Sequence, residues 1–309
     1  MKQNMRKKAL LPALAMVLAS VIALSGVTYA WFTTSNTAEV KSMDVNVQTA
    51  NGIQISLDGV KWRSTISGAD ILDAIGKTYT GSTNRYPAGT REILPVSSAG
   101  EVAGGTIKMF EGGYNANGTL WSGAAEEMET SDTNFIAFDL FFKSSAGEEG
   151  QPLTLLIGEG NSAVTGTDVF GGQADAGVEN AVRVAFLPLG NAKTAGAAQA
   201  LKNGTEAIIW EPNATKHVDG AEADAGKAYT TKGFNQAFEE AAEDALGDKV
   251  SEVATITTSQ EIVNLKNGIN KIRVYIWLEG QDVDCINPAS FGDFTTTLKF
   301  SVPAAEEEG

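Results

Sequence analysis

The chain has 309 residues with 38 Asp+Glu against 23 Lys+Arg, a formal net charge of −15, and one His and one Cys. So acidic a chain repels nucleic acid and anionic lipid. A single cysteine permits no intramolecular disulfide, and a zinc site would have to be built mostly from carboxylates, which zinc proteins seldom use.

The leading segment has its own logic. Lys2, Arg6, Lys7 and Lys8 stand without any acid ahead of an apolar run over 9–24, interrupted only by Pro12 and Ser20. This order of a positive stretch and then an apolar one is that of a signal peptide, and the run is short for a membrane span of about 20 residues. Thr28 and Ala30 supply small side chains at the −3 and −1 positions of a signal-peptidase site. Residues 1–30 are therefore expected to be removed, leaving Trp31 as the new N-terminus, with membrane contact only before cleavage and a secreted or cell-surface product. An uncleaved anchor with the domain outside is the alternative reading.

Strand patterns follow. Residues 43–47 alternate at Met43, Val45 and Val47, and residues 53–57 at Ile53, Ile55 and Leu57 ahead of an Asp58-Gly59 turn. Ala38 and Val40 fall on the opposite parity, so the pattern slips near Lys41-Ser42, as at a bulge or between two strands that can move independently. Residues 68–76 and 234–246 read as short helices, the second with Phe234, Phe238, Ala241, Ala245 and Leu246 along one face. Further strands are expected over 134–142, 152–158, 180–189, 206–211, 270–280 and 294–302, several of them apolar on both parities, as strands packed between layers are. Segments 97–133, 159–179 and 212–231, rich in Gly, Ala, Ser and Asn, read as long loops. The expectation is an all-β, jelly-roll-like two-sheet sandwich with long loops and one or two short surface helices, a single domain over 31–309.

Chemistry-bearing motifs are scarce. Asp282, Asp284, Asn287 and Asp293 place hard oxygen ligands together after a strand, a weak calcium candidate beside the simpler reading of a solvated acidic connection. His217 sits in a polar stretch, and Cys285 reads as a buried small hydrophobe. No nucleophile elbow, Walker loop or SxxK stands in the chain, so no enzymatic activity and no cofactor are expected. Trp62 and Trp121, in expected loops, offer a platform for glycan stacking, whereas Trp210 and Trp277 lie in apolar strands and read as core. Asn117, Asn203 and Asn213 each begin an N-x-[ST] triplet.

Thr28-Tyr29-Ala30 followed by Trp31-Phe32 resembles the leader junction of Gram-positive secreted proteins processed by a SipW-type signal peptidase, the TasA and camelysin group. The stretch 272–285 followed by 294–302 is similar to the closing strands of clostridial surface proteins with this leader. The resemblance implies a jelly-roll subunit of an extracellular matrix fibre, in which the N-terminal segment freed by the peptidase pairs with the next subunit's sheet. Here the donor segment is residues 31–40, with Phe32, Ala38 and Val40 as its apolar contacts, and the partners are further copies of the chain and the peptidase. A monomeric secreted binding module, using Trp62 or Trp121, is the rival expectation.

Overall fold

The computed structural model describes residues 38–39, 49–50, 53–74, 78–85, 92–93, 96, 98, 100, 102–114, 120–125, 135–145, 149–167, 178–213, 216, 259–279 and 293–303. In chain order the strands are β1 (Ala38–Glu39), β2 (Thr49–Ala50), β3 (Gln54–Ser56), β4 (Glu92–Ile93), β5 (Val102–Ala103), β6 (Thr106–Ile107), β7 (Met109–Tyr114) and β8 (Leu120–Ala125). They continue with β9 (Phe135–Ser144), β10 (Gln151–Leu155), β11 (Ala163–Thr167), β12 (Val182–Ala192), β13 (Ile208–Trp210), β14 (Gln260–Leu265), β15 (Gly268–Leu278), β16 (Asp293–Thr297) and β17 (Phe300–Ser301). Among the described residues the α-helices are two short ones, α1 (Gly68–Ala74) and α2 (Ala195–Gln199).

The architecture is an all-β sandwich. One sheet has the order β13-β12-β15-β9-β3, with every pairing antiparallel; the other has the order β14-β10-β17-β2. Between them lies the main core. Ile136, Phe138, Leu140 and Phe142 of β9, Val182, Val184 and Phe186 of β12, and Ile272, Val274 and Ile276 of β15 meet Leu153, Leu155, Ile262, Leu265 and Phe300 of the second sheet. Alternate residues of each strand reach the same face, so one parity of β9, β12 and β15 fills this layer.

The other parity is buried too. Phe135 and Ala137, Ala185 and Leu187, and Tyr275 and Trp277 form a second cluster, closed over by Val96, Ile107 and Met109. This is why β9 and β15 read as apolar on both parities: each of their faces meets another layer, a condition more familiar from parallel sheets. Trp210 and Trp277 are buried, as their apolar strands lead one to expect.

Several expectations are corrected. Segment 97–133 is not one long loop: Val102–Ala103 pairs with Thr106–Ile107 around Gly104-Gly105, and Met109–Tyr114 pairs with Leu120–Ala125. Glycines that suggest a loop here serve the tight turn, while Ile107 and Met109 bury against the central sheet. Segment 159–179 likewise contains β11, paired antiparallel with β16 from Ala163↔Thr297 to Thr167↔Asp293. β14 and α2 fall where neither a strand nor a helix is expected. β14 is an edge strand that itself bulges at Ile262, which stands unpaired between Val263, opposite Leu153, and Glu261, opposite Thr154, and this breaks the simple alternation. α2 is capped by Thr194, whose hydroxyl accepts from the Ala197 amide. The expected helix 68–76 is found as α1, and helix 234–246 and strand 43–47 lie outside the described residues.

Candidate functional site

The expected assembly site starts at the N-terminal end of the described chain. Ala38 and Glu39 pair antiparallel with Ile93 and Glu92, in a two-stranded sheet separate from the sandwich sheets. Ten residues later Thr49 and Ala50 pair with Phe300 and Ser301, and this pairing is parallel. β2 thereby forms one edge of the second sheet, with β14 at the other. A parallel neighbour at the edge of an antiparallel sheet cannot come from a hairpin; it is brought in from a distant part of the chain, and among the described residues it pairs through Thr49 and Ala50. Beneath it Phe300 is fully buried, its ring edge-to-face with Phe142 at 5.4 Å and with Phe186 at 5.8 Å, so the strand that β2 lies against is fixed firmly in the core.

Thr28, Ala30, Trp31, Phe32 and Val40 lie outside the described residues, as do Asp282, Asp284, His217 and Cys285. Ala38 is in β1, and Asp293 opens β16 opposite Thr167. Among the described residues no group of three or more His, Cys, Asp or Glu is arranged to hold a metal ion.

Of the two tryptophans expected in loops, Trp62 lies in one, between β3 and α1, and Trp121 does not. Trp121 belongs to β8, opposite Gly113 of β7. Trp62 is half-buried against a cluster containing Phe141 and Ile269, with the Lys143 ammonium 5.8 Å from its ring centroid. Of the triplet asparagines, Asn213 is buried, its amide donating to the Val164 and Glu179 carbonyls at 3.0 and 3.1 Å, whereas Asn203 is exposed.

A polar cleft of about 250 Å³ opens beside α1 and is bordered by Asp58, Lys61, Arg63, Asp70 and Asp73. Its charges are largely engaged with one another and with the backbone. Arg63 pairs with Asp70, and the Asp58 carboxylate accepts from the Val60 and Lys61 amides at 2.8 and 2.7 Å.

A cluster on the second face of the central sheet is absent from the sequence-based expectations. Asp139 of β9 is fully buried, and each of its oxygens is engaged. Oδ1 accepts from Arg273 Nη1 at 3.1 Å; Oδ2 accepts from the Tyr79 hydroxyl and lies 3.5 Å from Lys271 Nζ. Lys271 Nζ also donates to the Gln199 and Leu201 carbonyls at 2.9 and 3.3 Å, and Arg273 donates to the Thr83 carbonyl. Asn84 Oδ1 accepts from the Asp139 amide, so residues 79–84 and the end of α2 are pinned over the sheet by this one group of charges. Burial, reinforced by the negative Asp139 carboxylate, drives the Tyr79 hydroxyl pKa far up, and burial pulls the Lys271 ammonium below the ordinary lysine range. A signal was available: Asp139 sits alone in an apolar run, and Lys271 and Arg273 are two apart in another, hence on one face.

No protein-family profile matches the chain, and no curated protein aligns with it significantly.

Proposed function

We propose that the chain is a secreted, non-enzymatic structural protein of the cell surface or extracellular matrix, a TasA-like fibre subunit that self-associates through its N-terminal segment after cleavage behind Ala30. The observation that carries this reading is the two-residue parallel pairing of β2 with β17 at a sheet edge, directly downstream of residues 31–40. An edge strand offers its backbone N–H and C=O groups to any extended segment that can match them. A second copy carries the same segment. β1 and β2 belong to different sheets, so the first can exchange between copies while the second keeps its place.

Such a contact joins two different surfaces and need not close on itself, which is the geometry of a filament. Without Lys2, Arg6, Lys7 and Lys8 the cleaved subunit has 19 Lys+Arg against 38 Asp+Glu, a net charge of −19, so subunits repel one another at random approach and association is left to strand pairing. While the leader is attached the donor segment is tethered at the membrane, and a SipW-type peptidase would release it. The test compares the mature chain with a variant lacking residues 31–40, by electron microscopy and light scattering. The mature chain is expected to form long polymers and the truncated one to remain a folded monomer. Fibres from the truncated chain, or none from the mature chain at high concentration, would overturn the reading and favour a monomeric binding module.

A further inference from the structure

We propose that Lys271 and Asp139 condense into an intramolecular amide that staples β15 to β9, the central strand pair of the sandwich. The inference does not depend on the assembly reading; it rests on the buried cluster alone. Arg273 stands directly opposite Asp139 in the β15–β9 register and Lys271 is the diagonal neighbour on the same face, which brings Nζ within 3.5 Å of Oδ2. Their side chains are 5% and 1% exposed, so water is kept from both.

Each atom around the carboxyl group is placed for a distinct part of the reaction. Arg273 Nη1 donates to Oδ1, the oxygen that takes up negative charge when Nζ adds to Cγ. The Tyr79 hydroxyl donates to Oδ2, the oxygen that must depart, and burial keeps that hydroxyl protonated. The Gln199 and Leu201 carbonyls hold Nζ in place by accepting hydrogen bonds from it.

One carboxylate here faces two cations. Arginine does not surrender its proton in a protein, so it is Lys271 that can pass one to the shared carboxylate, and burial favours the neutral amine that then acts as the nucleophile. The step balances without any co-reactant. One ammonium proton passes to Oδ2 through Tyr79, the Nζ–Cγ bond forms and the Cγ–Oδ2 bond breaks, a second proton of Nζ follows to Oδ2, which departs as water, and the third stays on the amide nitrogen. A chain with a single cysteine would thus gain a covalent cross-link spanning 139 to 271 without a disulfide.

Intact mass spectrometry of the folded, then denatured, full chain tests this. The expected result is a mass one water below that of the residues present, with trypsin failing to cut after Lys271 and a branched peptide containing both Lys271 and Asp139. Lys271→Arg should restore the full mass, and Tyr79→Phe should slow the appearance of the lighter form after refolding from denaturant. A wild-type chain at its full sequence mass, or a water loss that maps to any other peptide, overturns the proposal, and neither result depends on how a variant folds.

Discussion

Arg183 Nη2 and Glu211 Oε1 lie 2.8 Å apart with side chains 1% and 0% exposed, an ion pair taken wholly out of water. Arg183 belongs to β12, and Glu211 follows directly on β13, so the pair ties the edge strand to its neighbour. Arg183 Nη1 adds hydrogen bonds to the Asn180 and Val182 carbonyls at 3.2 Å each.

Removing one partner takes from the other its opposite charge at 2.8 Å inside the core. Glu211→Ala or Arg183→Ala is expected to cost about 3–5 kcal/mol in urea unfolding. Replacing both by apolar residues of similar volume should recover most of the loss, because the pair's attraction is largely offset by its desolvation. A single replacement costing no more than a surface one would contradict this account.

How legible the fold is in the sequence depends on what each strand faces. β9, β12 and β15 announce themselves because both parities are apolar, and both parities are apolar because a layer lies on each side. β14 is hard to see: its own bulge at Ile262 interrupts the alternation, and an edge position tolerates Glu261 and Asn264. The β5–β6 hairpin hides behind its own glycines. The charge cluster was legible in part, since Asp139 and the Lys271, Arg273 pair have complementary signs, but only the strand register shows that they meet. The β2–β17 pairing joins residues about 250 apart, as read from their numbers, with no local signal at all.

Ser67 and Asp70 give a second test. They form a reciprocal cap on α1: the Ser67 amide and hydroxyl donate to Asp70 Oδ2 at 3.0 and 2.7 Å, and the Asp70 amide donates to Ser67 Oγ at 3.3 Å. The Ser67 amide is the main cause that holds the Asp70 pKa below its ordinary 3.8. A carboxyl group depressed in this way stabilises the fold above its unfolded pKa, and that contribution is lost as pH falls through the lower, folded value. Ser67→Ala should lower stability by about 0.5–2 kcal/mol at neutral pH. The gap between wild type and variant should narrow as pH falls below 3.8, because the hydroxyl's bond to the carboxylate is lost while the Asp70 amide's bond to Ser67 Oγ does not titrate; a constant gap down to strong acid would contradict the linkage.

Gly268, at the turn between β14 and β15, has φ of 121°, and a Cβ there would stand 2.5 Å from the Ala192 carbonyl oxygen. The strain and the clash act together, since neither the backbone conformation nor the neighbouring strand has room to yield. Gly268→Ala is therefore expected to destabilise by at least about 1 kcal/mol, against a gain of smaller size at a permissive glycine. Gly81 is the control. Its φ of 84° brings conformational strain as well, but nothing lies within 4 Å of the position its Cβ would take, so Gly81→Ala should cost less in the same denaturant titration.

Phe300 gives the last test, because it separates the stability of the sandwich from the proposed exchange at its edge. The side chain is fully buried between the sheets and touches Phe142 and Phe186 edge-to-face, while its backbone pairs with Thr49. Phe300→Ala leaves the backbone pairing available but removes the ring that joins the two sheets. The loss of buried surface and the cavity left behind predict about 3–5 kcal/mol of destabilisation, read from the shift in urea midpoint at unchanged slope. Phe300→Leu, which keeps most of the volume, should recover the larger part. If Phe300→Ala cost less than about 1 kcal/mol, the second sheet would not be packed on the first through this residue, and β17 would be no firm base for a strand added at its edge.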